Sequence, residues 1–157
     1  MKNRLYVTIS NESKRLIIFL LLLYSPMIGA QGLDGVEQLV HRCFPALSSH
    51  IVFEQIPKAD SIADAFSLQT RNGTLYIGAT SPSAAASGVY HYLREYCRTS
   101  ISHNGDNLNL PEKWVEIPQR VTVSSPFEYR YALNYCTYSY SYPFYQWKDW
   151  ERELDWM

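Results

Sequence analysis

Two short runs of alternating apolar and polar residues give the clearest structural signal in the chain, and Asn72-Gly73 separates them. Both residues of an Asn-Gly pair tolerate positive φ, which a two-residue hairpin loop requires. With that loop, Leu68 lies opposite Ile77 and the apolar faces of the two runs match. The pattern therefore predicts a β-hairpin over residues 66–79.

Two other segments repeat apolar residues at the spacing of an α-helix. The first covers residues 34–43, where Asp34 and Glu37 have the spacing of a capping box. The second opens at Ser81-Pro82, a favoured N-cap followed by a proline at the first helical position. Small residues in its first turns allow this helix to lie close to a sheet. The positions predicted to face the core are Val36, Leu39, Val40 and Cys43 in the first helix, and Ala85, Gly88, Val89, Tyr92, Leu93 and Tyr96 in the second.

Further strands complete a small domain. Residues 51–56 and 120–124 are rich in β-branched side chains, and a second turn signal predicts a hairpin over residues 99–110. We therefore expect an α+β fold for residues 31–125, with two helices packed on a sheet of roughly five strands.

The organisation changes near Pro126. Residues 129–134 predict a strand, a loop rich in Tyr and Ser follows, and a helix begins at Trp147 with neither a cap nor an end in the sequence. A strand, a loop and a helix in this order are typical of one βα unit of an α/β barrel. We expect residues 126–157 to be the truncated start of such a TIM-like barrel, and the remainder of the same polypeptide to be its partner.

The N-terminus has the layout of a secretory signal peptide. A basic stretch precedes the apolar run Leu16–Tyr24, and Ala30 precedes the polar Gln31. A retained membrane anchor is the alternative, but the apolar run is shorter than the about 20 residues that a membrane span needs. We expect residues 1–30 to be removed on export to the periplasm, the extracellular space or, in a eukaryote, the lysosome, with no stable membrane span.

Composition excludes several kinds of partner. The whole chain has a net charge of −1, and the predicted signal peptide carries a surplus of basic residues, so the remainder is acidic. An acidic domain lacks the positively charged surface that binds nucleic acid or an anionic membrane. The three cysteines and four histidines form no CxxC pair or zinc-binding cluster. We expect no metal and no cofactor.

Candidate chemistry lies where the predicted strand 129–134 ends. The amide of Asn134 can donate and accept hydrogen bonds to the hydroxyl or acetamido groups of a sugar, and aromatic rings beside it can cover a pyranose face. Cys136 is either a nucleophile or a small buried hydrophobe. The alternative for the loop is that its tyrosines only pack one domain against the other. Those tyrosines are Tyr138, Tyr140, Tyr142 and Tyr145.

Acidic residues near the C-terminus do not form a catalytic pair. A glycosidase needs two carboxyl groups that face each other across the scissile bond. The acidic residues here share one predicted helix, where a solvated face explains them better. They are Asp149, Glu151, Glu153 and Asp155. We assign no catalytic residue within this chain.

The C-terminal sequence resembles the start of the barrel of the α-N-acetylglucosaminidases, the lysosomal and bacterial enzymes that remove terminal N-acetylglucosamine from heparan sulfate and related glycans. A stretch in the second helix is similar to that family's N-terminal domain. The segments that carry the resemblance are YRY at 129–131, NYCTYSYS at 134–141, WERELDWM at 150–157 and GVYHYLREYC at 88–97.

The resemblance implies a retaining glycosidase whose two catalytic glutamates lie on later barrel strands, beyond residue 157. It also implies that Asn134 and Cys136 help to shape the N-acetylglucosamine subsite without breaking bonds. We therefore predict the N-terminal part of an exported α-N-acetylglucosaminidase that is inactive alone. The alternative is a non-catalytic carbohydrate-binding or adaptor module. A disulfide between Cys43 and Cys97 stays an open alternative.

Overall fold

The computed structural model describes residues 32–58, 63–102, 105–131 and 142–157. The predicted signal peptide lies outside these residues, as do Asn134, Cys136, Tyr138 and Tyr140. The described residues all belong to a single compact unit. None of the helices in the described ranges combines the length and the apolar character that crossing a membrane requires.

The chain folds into an α+β arrangement, which confirms the predicted class. The helices are α1 (Asp34–Cys43), α2 (Pro45–Ser48), α3 (Pro82–His91) and α4 (Trp147–Trp156), with a π-helical turn at Tyr92–Tyr96 and a 3-10 turn at Tyr142–Phe144. The strands are β1 (Ile51–Gln55), β2 (Ala65–Arg71), β3 (Thr74–Ala79), β4 (Ser100–Ser102), β5 (Gly105–Asn107) and β6 (Val121–Ser124).

A four-stranded sheet with the order β1-β3-β2-β6 forms the centre of the fold. Strand β3 pairs with β1 in parallel and with β2 in antiparallel orientation, and β6 pairs antiparallel with β2. The predicted hairpin is confirmed in its register, since Leu68 lies opposite Ile77 and both are fully buried. Asn72 and Gly73 have φ of 51° and 77°, as a type I′ turn requires.

The second predicted hairpin is a separate two-stranded sheet of β4 and β5. Five of its six residues are exposed, and Ile101 alone is partly buried. Strands this short and polar have no apolar face to lay against the core, so they do not extend the main sheet. The sheet expected to have roughly five strands therefore has four.

Helix α3 packs on β2 and β3, and α1 packs on α2 and α3, each with the apolar face that the sequence predicts. Val36 and Val40 of α1 are buried, and Leu39 and Cys43 pack against the core. The predicted capping box at Asp34 is wrong, because the N-cap is Leu33 and no side chain caps the helix. Asp34 instead lies in the first turn, where a carboxylate favours the positive end of the helix dipole.

Helix α3 begins as predicted, with the Ser81 hydroxyl accepting a hydrogen bond from the Ala84 amide at 3.2 Å. The sequence did not predict the π-helical turn that continues it. In that turn Tyr92 is fully buried, and its hydroxyl donates to the Val115 carbonyl at 2.9 Å. Burial raises the pKa of Tyr92, so this hydroxyl stays a hydrogen-bond donor. The bond fixes the long loop before β6 against α3.

Two expectations for the C-terminal segment are wrong in the described residues. Tyr129–Tyr131 lies outside any strand. A barrel strand needs neighbouring strands to bond its backbone, and these tyrosines are 79% and 87% exposed instead. Helix α4 does have a start signal, because Gln146 and Asp149 form a reciprocal capping box.

Because α3 lies close to the sheet, a methyl group added at Gly88 should destabilise the core. A Cβ at Gly88 would lie 3.0 Å from Ile77 Cγ2 and 3.3 Å from the Phe66 ring. We expect Gly88→Ala to lower the free energy of unfolding by about 1–3 kcal/mol because the core is overpacked. Gly35→Ala is the matched control, since a Cβ at this exposed helical glycine meets nothing within 4 Å. It should add about 0.5–1 kcal/mol. Urea denaturation measures both, and equal effects would contradict the packing.

Candidate functional site

The structure describes the chain on both sides of the candidate site residues. Asn134 and Cys136 fall between the described ranges that end at Tyr131 and resume at Tyr142. The structure therefore shows how the flanking segments are held. Each flank is fastened to the N-terminal α+β part of the chain by ion pairs.

Asp64 fastens the first flank. Its carboxylate, just before β2, binds Lys58 Nζ at 2.9 Å and also accepts a hydrogen bond from the Arg130 guanidinium. The Thr80 hydroxyl, at the end of β3, donates to the same carboxylate at 3.1 Å. The backbone carbonyl of Asp64 accepts from the Ser125 amide at 2.7 Å. One residue thus joins the β1–β2 connection, the end of β3 and the chain that leaves β6.

The surroundings of Asp64 favour its charged form. Its side chain is only 11% exposed, which by itself would raise the pKa. The hydrogen bonds from Lys58, Arg130 and Thr80 outweigh this shielding and hold the pKa of Asp64 well below its usual range. The carboxylate is therefore ionised at neutral pH. It acts as a fixed negative charge and has no role as a proton donor.

Helix α4 fastens the second flank. Arg42 of α1 donates two hydrogen bonds to Asp155, at 3.1 and 2.6 Å, in a bidentate pair. The Cys43 thiol donates to the same carboxylate, with Sγ 3.7 Å from the oxygen. Arg152 reaches Asp106 of β5 at 3.2 Å. Bidentate arginine–carboxylate pairs fix orientation as well as distance, so α4 is set against α1 in a defined position.

An aromatic cluster supports the start of α4. The rings of Tyr142, Tyr145 and Trp150 have centroids 4.7–5.5 Å apart. The Tyr142 hydroxyl donates to Glu153 Oε1 at 2.8 Å, and this bond raises the pKa of Tyr142. Tyr142 and Tyr145 therefore pack within the C-terminal segment itself, whereas the alternative considered for the loop tyrosines was packing of one domain against the other. The other two loop tyrosines lie outside the described residues.

The prediction that the α4 carboxylates form a solvated face is wrong for two of the four. Glu153 is 5% exposed and bound to Tyr142, and Asp155 is held by Arg42. A helical wheel identifies the face on which a residue lies, but it cannot identify which face meets another part of the chain. These contacts also bear on chemistry, because neither carboxylate is free to act as a catalytic acid or base.

The cysteines that the structure describes are both unbridged. Cys43 and Cys97 are free and partly buried, so the disulfide left open by the sequence is absent. Burial raises the pKa of each thiol, which makes both poor nucleophiles. Within the described ranges no group of His, Cys, Asp or Glu side chains could hold a metal ion.

Large exposed apolar side chains are concentrated on the same two flanks. Tyr129 and Tyr131 alternate with Arg130, so the rings face solvent while the guanidinium reaches Asp64. Around α4 the exposed rings include Phe144 and Trp147. Exposed apolar side chains concentrated on one part of a chain are typical of a region that binds another surface.

Comparisons with known proteins identify the family to which this chain belongs. Residues 34–118 match the family described as the Alpha-N-acetylglucosaminidase (NAGLU) N-terminal domain, and residues 130–157 match its tim-barrel domain. The chain belongs to the α-N-acetylglucosaminidase family. This confirms the resemblance drawn from the sequence.

Relatives at 34% identity share the fold. One is human alpha-N-acetylglucosaminidase, similar over 132 residues that make up 82% of this chain and 18% of the human protein. Another is a family 89 glycoside hydrolase from Clostridium perfringens, solved with its substrate GlcNAc-alpha-1,4-galactose, with a TM-score of 0.73 over 79% of this chain. The same enzyme with PUGNAc gives the same values. The chain spans 14% of those clostridial chains.

The ion pairs join segments of the chain that match two different domains of the family. Asp64, Arg42 and Asp106 lie in the range that matches the N-terminal domain, whereas Arg130, Asp155 and Arg152 lie in the range that matches the barrel. Three ion pairs therefore connect the two matched ranges. Sequence reasoning missed all three, because single charged residues far apart in the chain carry no spacing signal.

The environment of Asp64 predicts a dependence of stability on pH. A carboxylate whose pKa is lowered on folding stabilises the protein above its unfolded pKa of about 3.9, and the contribution is lost as pH falls below that value. We expect Asp64→Asn to lower Tm clearly at pH 7, and the difference from the parent chain to shrink between about pH 5 and pH 3. Thermal melts across this range measure it.

Glu95→Gln is the matched control, because Glu95 pairs with Arg94 at an exposed site. Such pairs contribute about 0–1 kcal/mol, so its Tm should stay near that of the parent chain. A difference for Asp64→Asn that is the same at pH 7 and pH 3 would contradict the charged role of Asp64.

Proposed function

We propose that this chain is the N-terminal portion of an exported, retaining α-N-acetylglucosaminidase that removes terminal N-acetylglucosamine from glycans. The observation that carries the proposal is the match of residues 34–118 and 130–157, in order, to the N-terminal and barrel domains of this family. The clostridial relative bound to GlcNAc-alpha-1,4-galactose supports the substrate class.

The proposed domain organisation follows the sequence. Residues 1–30 are the signal peptide, residues 31–125 form the N-terminal domain, and residues 126–157 open the barrel. Export places the enzyme in the periplasm or outside the cell in a bacterium, or in the lysosome in a eukaryote. The enzyme needs no cofactor, since a retaining glycosidase works with two carboxyl groups alone.

Asn134 and Cys136 are the proposed substrate-binding residues of this chain. Both follow the segment that Asp64 anchors through Arg130, and Asn134 is four positions further along. The Asn134 amide binds the hydroxyl or acetamido groups of N-acetylglucosamine, and Cys136 shapes the same subsite. In the family, two glutamates break the bond, one as nucleophile and one as acid and base. The clostridial complex with substrate carries two glutamate-to-glutamine substitutions.

The carboxylates of α4 support a non-catalytic role for this part of the barrel. Asp149 caps the helix, Glu153 binds Tyr142, and Asp155 binds Arg42. Three of the four α4 carboxylates are thus committed to the scaffold, which supports the proposal that the chain by itself is inactive and contributes to binding. The exposed rings of Tyr129, Tyr131 and Trp147 favour one second candidate, a non-catalytic carbohydrate-binding module.

One pair of measurements tests the proposal. In the complete enzyme that contains this chain, an aryl α-N-acetylglucosaminide should be hydrolysed. Asn134→Ala should lower kcat/KM by about 5- to 150-fold, because removing a hydrogen-bond partner costs about 1–3 kcal/mol. Asn107→Ala, at an exposed amide of β5, is the matched control and should leave the rate unchanged. Glycan binding without hydrolysis by the complete protein would favour the binding module. A normal rate from a destabilised Asn134→Ala would remove Asn134 from the subsite.

A further inference from the structure

Asp64 ties the segment that contains Arg130 to three parts of the N-terminal domain. It contacts Lys58, Thr80 and Ser125 as well as Arg130. Its side chain is largely shielded from water, so an Arg130 that leaves it would expose a partly buried negative charge. The Arg130 side chain is 43% exposed, so the pair is shielded from solvent on the Asp64 side only. Limited water access on that side weakens screening, so the attraction is stronger than between two fully exposed side chains.

Arg130 is the first residue of the barrel match. The residues on either side of it, Tyr129 and Tyr131, are exposed and outside any strand. Among the described residues of this segment, the guanidinium contact and the Ser125 bonds are what fix the chain to the N-terminal domain. The position of the chain as it enters the barrel thus depends on where Asp64 lies.

We propose that Asp64 is a positioning residue for glycan hydrolysis, which it supports by holding Arg130 and thereby the chain at the point where the barrel match begins. The inference rests on the proposed function. It assigns the N-terminal domain a part in the reaction through the position of the chain that enters the barrel. A residue that only stabilises the fold would change the melting temperature and leave the kinetics of the folded enzyme intact.

A double-mutant cycle in the complete enzyme tests the pairing. Asp64→Asn removes the charge and keeps the shape, and Arg130→Gln removes the opposite charge. Misplacement of about 1 Å costs up to about a hundredfold in rate, so each variant should lower kcat/KM by about ten- to a hundredfold. The double variant should be no worse than either one, because interacting residues are not additive. Additive losses would overturn the pairing.

Leu47→Ala separates positioning from stability. This change leaves a cavity in the core beside Gly73 and Leu75, at the opposite end of β3 from Thr80 and Asp64. At a temperature where all variants are folded, its kcat/KM should equal that of the parent enzyme. If it lost as much kcat/KM as Asp64→Asn, the role of Asp64 would be general stability, and the proposal would be wrong.

Limited trypsin digestion of the 157-residue chain gives a readout that needs no activity. Asp64→Asn should speed cleavage after Arg130, with no change at Arg71 in the far hairpin turn, as followed by mass spectrometry. Unchanged cleavage after Arg130 would contradict the anchor. Faster cleavage together with a normal kcat/KM would overturn the positioning role while leaving the proposed activity intact. An enzyme that releases no N-acetylglucosamine would instead overturn the proposed function.

Discussion

The negative charge of Asp64 is the constraint on which the arrangement of the chain depends. A carboxylate that is 11% exposed is costly to ionise unless positive groups and hydrogen bonds surround it. Three side chains compensate the Asp64 charge, and each comes from a different segment. They are Lys58 of the β1–β2 connection, Thr80 at the end of β3 and Arg130 after β6. These three segments have to converge for the charge to be compensated. The convergence fixes the point at which the chain leaves the N-terminal domain.

The sequence predicted those parts of the fold that are determined by residues close together in the chain. The hairpin of β2 and β3 follows from Asn72-Gly73 and from two alternating runs, and its register needs no distant contact. Helix α3 starts at Ser81 because a hydroxyl there satisfies a free backbone amide. The family was also recognisable, because its signature lies in continuous segments of the chain.

The parts that escaped prediction depend on distant residues. Arg130 is 66 positions from Asp64, and Arg42 is 113 positions from Asp155. Any of the chain's basic side chains could have paired with any of its carboxylates. The same limit explains the error about α4, because the burial of Glu153 depends on Tyr142 and on the docking of the helix. The proposed subsite at Asn134 and Cys136 lies between two flanks that such distant contacts hold.

Hydrogen exchange of the α4 amides in the 157-residue chain tests most directly whether the barrel opening is fastened to the N-terminal domain. A helix of ten residues is marginal alone in water, so its protection has to come from docking. We expect exchange at least about a hundredfold slower than in an unstructured peptide. Arg42→Ala should lower that protection, while β3 stays protected. Exchange of α4 at unprotected rates in the parent chain, or protection that is unchanged in Arg42→Ala, would contradict the docking of α4.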